Sequence, residues 1–299
     1  MKIFVTGIGG PAGRNVSQLL IERGHEVVGA DMRSVCLPGV AAFHQAPPAR
    51  AAGYLEWLDR HTADCDWIIP TVQEELPIVA RGRSQLHCPV LISPELAINI
   101  AHDKWLTVLT LQEADVPCPR FVLPSALICP PDVADYVGWP CLSKPRVGRG
   151  GRFVTIYDTP ADFHKLRSLD DSYIMQEFAP GIEYTANLFV PNYNNITVVV
   201  LEKEAMREGR TGNATAVKRV DAPDIAEVAV GTAQALGLYG PVDMDIRRDA
   251  NGNPLLLEVN ARFGANIAHA PEVFDAMLHA LLPLYQQPTN MAEPVAQYI

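Results

Sequence analysis

The chain has 299 residues, 48% of them apolar and 19% charged, which is enough for two domains with real cores and too apolar for a disordered tail. Acidic residues outnumber basic ones 34 to 24, giving a formal charge of -10, and with no long run of Lys or Arg this argues against nucleic-acid or anionic-membrane partners. No stretch approaches the roughly 18 apolar residues of a membrane span. The six cysteines form no CxxC pair, and the chain opens on a strand, not a secretory leader, so a cytoplasmic protein with reduced thiols is expected.

From the N-terminus, Lys2–Thr6 (KIFVT) is a short apolar strand and residues 7–13 a glycine-rich turn. Residues 14–23 have helical spacing, with Val16, Leu19 and Leu20 on one face. Gly24 ends that helix, and residues 26–30 (EVVGA) form a second strand that stops at Asp31. Strand, helix and strand in that order imply a parallel sheet. Further strand-like runs at residues 67–70 and 90–92 follow, the first leading into Thr71-Val-Gln-Glu-Glu75 and the second closed by Ser93-Pro94. The first 95 or so residues thus read as a small doubly wound α/β unit.

After Asp103-Lys104 a helix runs to about Ala114, and proline punctuation then surrounds short strands. Antiparallel segments are expected at residues 141–144, 152–157, 173–178, 184–190 and 197–201, a helix at 225–236, and a final pair of strands at 240–247 and 254–259. Asp249-Ala-Asn-Gly-Asn253 between the last two carries the Asn-Gly hairpin signal. This half is α+β, with a weakly ordered tail expected after Pro283.

The first glycine cluster admits two readings. Thr6-Gly7, Gly10 and Gly13 after a strand, with Asp31 ending the next, fit a dinucleotide fingerprint and resemble the TGxxGxxG of short-chain dehydrogenases and epimerases. Against a bound NAD(P), none of the nine tyrosines has Lys four residues later, and the α+β half does not continue a Rossmann sheet. On the other reading the glycines permit a tight turn, close packing, and helix N–H groups directed at a substrate anion.

The strongest chemical signal comes late. Glu258 and Asn260 are two apart on a strand, so their side chains leave one face, and the hairpin brings Asp245 beside them. Three such oxygen-bearing groups can hold magnesium with phosphate oxygens as its remaining ligands. Arg262 faces the same way and can pair with a phosphate. Leu255-Leu-Leu257 marks a buried strand, where idle acids would be costly. Upstream, Lys144-Pro145 precedes Gly148 and Arg149-Gly150-Gly151, a lysine and a flexible loop able to clamp phosphates. Residues 173–178 (YIMQEF), with Glu183 after Pro180-Gly181, can offer an adenine edge and a ribose carboxylate. Asp103-Lys104 opens a helix and alone would pass for an ordinary surface lysine.

In this order the motifs resemble the ATP-grasp superfamily, most closely its carbamoyl-phosphate-synthetase large-chain type, and the likeness covers nearly the whole chain. The resemblance implies a Rossmann-like preATP-grasp domain over 1–100 and an ATP-grasp domain over 101–299, with a small nucleotide-clamping subdomain at about 117–178. It assigns Lys104 and Lys144 to ATP phosphates and the loop containing Gly150 and Gly151 to closure over them. Gln176, Glu177 and Phe178 become the adenine hinge and Glu183 the ribose ligand. Asp245, Glu258 and Asn260 become ligands of Mg2+ (or Mn2+ in its place), and Arg262 stabilises the transferring phosphoryl group.

The chemistry so implied is phosphoryl transfer from ATP to a carboxylate, then attack by an amine. Positioning and charge neutralisation suffice, which matches a residue set of cations, metal ligands and backbone donors. Lys218 and Arg219 suit an acceptor carboxylate and serve equally as surface bases. The expected function is a carboxylate–amine ligase of small-molecule metabolism. The alternatives are another ATP-grasp outcome (kinase or thiol ligase) and an NAD(P)-binding protein. The partners expected are the two small-molecule substrates, and the likeness is compatible with a homodimer.

Overall fold

A computed structural model describes residues 1–148, 150–206 and 214–285. Arg149, most of the loop expected over 206–215 and nearly all of the expected tail lie outside these residues. The first part contains β1 (Lys2–Thr6), α1 (Pro11–Glu22), β2 (Glu26–Asp31), β3 (Ala42–Gln45), α2 (Tyr54–His61), β4 (Trp67–Ile69), α3 (Leu76–Arg81) and α4 (Glu95–His102). Its four strands form a parallel sheet in the order β3-β2-β1-β4. Helix α1 begins at Pro11, earlier than hydrophobic spacing indicates, because a proline's fixed φ and missing N–H suit the first helical turn. The strand expected at 90–92 is reduced to a single bridge, Ile68 to Val90. Pro89 and Pro94 bracket it and have no N–H with which to extend a ladder. The boundary expected near residue 100 falls inside α4.

The second part contains α5 (Lys104–Glu113), β5 (Phe121–Val122), α6 (Pro130–Tyr136), β6 (Cys141–Pro145), β7 (Thr155–Tyr157), α7 (Phe163–Leu166) and β8 (Tyr173–Glu177). Asp103 caps α5, its carboxylate accepting from the Trp105 N–H at 2.9 Å. The strands make a small antiparallel sheet, β5-β8-β6-β7, closed over its own core of Val122, Val133, Cys141, Phe163 and Met175. Strand β7 begins three residues later than expected. Gly150, Gly151 and Phe153 have φ of +64°, +69° and +61°, a left-handed turn that no ladder accommodates.

The last part holds β9 (Glu183–Val190), β10 (Thr197–Met206), β11 (Ala214–Arg219), α8 (Pro223–Ala235), β12 (Gly240–Arg248), β13 (Pro254–Asn260) and α9 (Pro271–Tyr285). They form an antiparallel sheet, β11-β10-β9-β12-β13. Strand β10 runs on past the apolar residues 197–201 through Glu202-Lys203-Glu204, charges that hide the strand from a hydrophobicity reading.

Strand β9 shows how the site is placed. Tyr184, Ala186, Leu188 and Val190 share a core with Val228 and Ala229 of α8 and with Phe4, Val28 and Ile68 of the parallel sheet. The alternate residues are Glu183, Thr185 and Asn187, followed by Phe189 in a second core with Phe263 and Phe274. One face of the sheet is therefore apolar under α9 and polar beyond it.

Candidate active site

Cross-strand register builds the polar half of that face. Glu183, Thr185 and Asn187 of β9 stand opposite Arg247, Asp245 and Asp243 of β12. Asp245 and Asp243 in turn stand opposite Glu258 and Asn260 of β13. Directly opposed residues share a face, so these side chains form one patch. A cleft between this patch and the small sheet is lined by Lys144, Gly150, Gly151 and Gln176 on one side. Glu183, Lys203, Asp245, Glu258, Asn260 and Arg262 line the other.

Register also explains how the small sheet is tied to it. The β12–β13 ladder slips between Asp245 and Ile246, which pair with Glu258 and Leu256, so Leu257 has no partner on β12. Such a bulge re-aims the local backbone. The Leu257 carbonyl accepts from Lys144 Nζ at 2.8 Å. Lys144 is buried, and burial, with Lys104 nearby, pulls its ammonium down to about 8. Lys104 is no surface lysine: it is 8% exposed, donates to the Gly148 carbonyl at 3.1 Å, and lies 3.2 Å from Glu258 Oε1. Burial pushes the Glu258 carboxyl up, but Lys104 and Lys144 outweigh it and hold the group below its ordinary range.

Two residues not singled out by the sequence reading organise the remaining charges. Lys203 Nζ lies 2.6 Å from Glu183 Oε1 and 2.7 Å from Asp245 Oδ1. Burial works against its charge, yet the two carboxylates prevail and raise its proton affinity. Asp243 accepts from Thr185 Oγ1 at 2.6 Å and faces the Asn260 amide nitrogen at 3.5 Å. That leaves Asn260 Oδ1 to accept from Arg262 Nη2 at 3.1 Å. Burial, with Asp245 beside it, pushes the Asp243 carboxyl up to about 6. Both residues carry a signal of strand alternation: Asp243 precedes Asp245 by two and shares its face, while Lys203 lies between Glu202 and Glu204 and leaves the opposite face from them.

The other expected residues divide. Gln176 lines the cleft, 2% exposed, with Oε1 buried and without a hydrogen-bond partner among the described residues. Glu177, its neighbour on the strand, turns elsewhere and pairs with Arg120 at 3.1 Å. Phe178 is buried with the Arg247 guanidinium 5.1 Å from its ring centroid. Neither lines the cleft. Glu183 is already held by Lys203 and, at 3.5 Å, by Arg247. Lys218 requires correction: it pairs with Glu202 at 2.9 Å, the residue directly opposite it on β10. Alternation puts it on the face away from Lys203 and the cleft. Arg219 bonds Glu272 at 2.6 Å. Arg146, just before the glycine loop, is anchored by Asp103 at 2.6 Å.

The N-terminal glycine turn is self-contained. Asp31 Oδ2 accepts from the Gly9 N–H at 2.9 Å and Oδ1 from the Arg33 N–H at 3.0 Å, so the acid of the dinucleotide-like pattern serves the turn itself. A Cβ on Gly13 would lie 2.3 Å from the Gly7 carbonyl oxygen, which supports the close-packing reading of the cluster.

The donor chemistry suits magnesium. Asp245, Glu258 and the amide of Asn260 present hard oxygens on one face, and ammonium groups at 2.7 and 3.2 Å show where positive charge is accommodated. Among the described residues no three His, Cys, Asp or Glu side chains gather closely enough to hold an ion alone, so phosphate oxygens and water would complete the set. Among the same residues no helix is long and apolar enough to cross a membrane.

Residues 101–266 match the family model for the ATP-grasp domain. A D-alanine--D-alanine ligase of Nitrosomonas eutropha is 26% identical over 183 residues, 56% of this chain and 59% of that protein. A second from Nitrosomonas europaea is also 26% identical and matched over 63% of its length, so the chain spans about three-fifths of these curated relatives. Among solved structures, an N5-carboxyaminoimidazole synthetase from Staphylococcus aureus complexed with ADP superposes with a TM-score of 0.73 at 19% identity, covering 94% of this chain and 76% of that one. An L-amino acid ligase from Bacillus licheniformis gives 0.68 at 18% identity, covering 90% and 69%.

Proposed function

The chain belongs to the ATP-grasp domain family, and on that premise we propose that it is an ATP-dependent ligase joining a small-molecule carboxylate to an amine. The observation that carries this reading is the meeting, in one cleft, of the Lys144 ammonium group with the oxygen row Asp245, Glu258 and Asn260, with Lys104 paired to Glu258 beside it. Phosphates and a divalent cation are what such an array neutralises best. The names of the relatives support an outcome on amino-acid-like substrates.

In this reading Lys104 and Lys144 bind ATP phosphates, and the turn at Gly150 and Gly151 closes over them. Gln176 and the backbone of Glu177 and Phe178 meet the base, and Glu183 the ribose. Asp245, Glu258 and Asn260 hold Mg2+, or Mn2+ in its place, which when bound offsets phosphate charge. Arg262, oriented by its bond to Asn260, faces the phosphoryl group in transit. The γ-phosphoryl group passes to a substrate carboxylate oxygen and ADP leaves. The amine then attacks the acyl carbon, losing a proton as phosphate departs. Excluding water protects the acyl phosphate between the two steps.

An ADP-release screen tests the reading, with acids supplied alone and with amines. Release that needs both substrates, with an amide product, is expected. Release with the acid alone and a stable phosphorylated product would mark a kinase, and a requirement for a thiol would mark a thiol ligase.

A further inference from the structure

Each carboxylate assigned to the metal is already matched by an ammonium group. Lys203 reaches from β10 to Asp245, 2.7 Å away, and its side chain is only 5% exposed. Lys104 reaches from the start of α5 to Glu258, 3.2 Å away. Asp245 and Glu258 are direct partners across β12 and β13, so the two lysines balance one carboxylate pair. Lys203 also holds Glu183, whereas Lys104 has the Gly148 carbonyl as its other partner.

Charge arithmetic then governs what a free cation finds. Around the cleft Glu183, Asp243, Asp245 and Glu258 face Lys104, Lys144, Lys203, Arg247 and Arg262, four acids against five bases, so a divalent ion arriving alone gains little long-range attraction. It must displace two cations, and displacement leaves Lys203 buried with one acid fewer, which is costly in a poorly solvated site. Nucleotide phosphates change the balance: they offer the lysines a new partner and bring negative charge in excess.

We infer that Lys203 and Lys104 are place-holding cations that make metal binding conditional on nucleotide, releasing Asp245 and Glu258 only when phosphates draw the lysines away. This rests on the reading of the cleft as a site for Mg·ATP. By reciprocity the metal raises nucleotide affinity by the same factor. Lys203 is thus a positioning residue whose first effect is on the order of binding.

Mn2+ binding followed by electron paramagnetic resonance, with no nucleotide present, tests this directly. The wild-type protein should leave Mn2+ free up to about 1 mM, the weak end of protein sites for divalent ions. Lys203→Met and Lys104→Met should each bind Mn2+ alone roughly tenfold tighter or better, the range in which neighbouring groups tune metal sites. A purely structural lysine gives no such gain. Circular dichroism checks folding, and should Lys203→Met not fold, Lys104→Met decides alone, since it frees a single acid. Tight Mn2+ binding by the wild type, or no gain in a folded variant, overturns the inference. Equilibrium dialysis of labelled ATP with excess Mg2+ is run in parallel. Absence of retained ATP there defeats the ligase reading instead.

Discussion

Lys144, on the central strand pair of the small sheet, donates to the carbonyl of Leu257, the one residue of β13 skipped by its partner strand. A bulge beside a carboxylate row thus supplies the contact that joins the small sheet to the five-stranded one. The contact also keeps a lysine ammonium out of water, which gives the first prediction.

The affinity for ATP should fall as pH rises through about 8, where burial and Lys104 bring the Lys144 ammonium to its titration point. The KM for ATP, measured from pH 7 to 9.5, should rise by up to about tenfold per unit above that point, and Lys144→Arg should flatten the profile. A flat wild-type profile would count against Lys144 as a phosphate ligand. Stability moves the other way. Between about 8 and the ordinary 10.5 the unfolded chain keeps a proton the folded chain has released, so this group alone makes stability rise with pH there.

Glu258→Gln, and more so Glu258→Ala, should abolish turnover at ordinary Mg2+ concentration while the far-ultraviolet circular dichroism stays native. The change removes an oxygen that the proposal assigns to the metal and, with it, the partner of Lys104. A fully active Ala variant would show the metal assignment to be wrong.

Asp243→Leu should lower kcat by roughly 10- to 100-fold, as loss of a group orienting a metal ligand does. Asp243 touches Thr185 and faces Asn260, so the substitution frees the Asn260 amide to turn its nitrogen toward the metal. Asp243→Asn, whose single oxygen can face the Asn260 nitrogen while its NH2 donates to the Thr185 hydroxyl, should retain more activity than Leu. Equal loss in both would point to a charge requirement at this position in place of orientation.

The turn at Gly150 and Gly151 should exchange amide hydrogens rapidly in the free protein and slowly with Mg·ATP. Ordering costs roughly 1–2 kcal/mol of backbone entropy per residue, and charge-assisted bonds to phosphate return roughly 1.5–3 kcal/mol each. Both glycines hold a positive φ, which proline cannot adopt. Replacing both with Pro should therefore cut turnover strongly and ATP binding much less. Equal protection with and without nucleotide would remove the turn from the mechanism.

Much of this site was legible because strands alternate. Glu258 and Asn260 two apart, and Asp245 across an Asn-Gly hairpin, needed only period-two geometry, and the register places Asp245 opposite Glu258. The same rule places Asp243 on the face of Asp245, whereas Lys203 joins them only through the pairing of β10 with β9 and of β9 with β12. It also separates Lys218 from the cleft once its partner Glu202 is known. Other features lay beyond sequence. The burial of Lys104 depends on α5 starting beside Glu258, a distance of 154 residues along the chain that no local pattern encodes. The slip at Leu257 arises between strands and belongs to neither alone. The glycine cluster is ambiguous for a related reason: the same residues permit cofactor approach or backbone packing, and the Asp31 bond to Gly9 and the tight fit at Gly13 favour packing.

The core shared by Phe4, Val28 and Ile68 with Tyr184, Leu188 and Met244 has a consequence for how the molecule comes apart. Helix α4, which spans the boundary expected from sequence, contributes Ala97, Ile98 and Ala101 to that same core. The N-terminal sheet therefore has no separate interior to retain once the larger sheet melts. Denaturation should show a single cooperative transition, with fluorescence of Trp57 and Trp67 changing together with loss of strand signal. Fragments cut near residue 100 should each expose apolar surface and aggregate, recovering solubility only when expressed together.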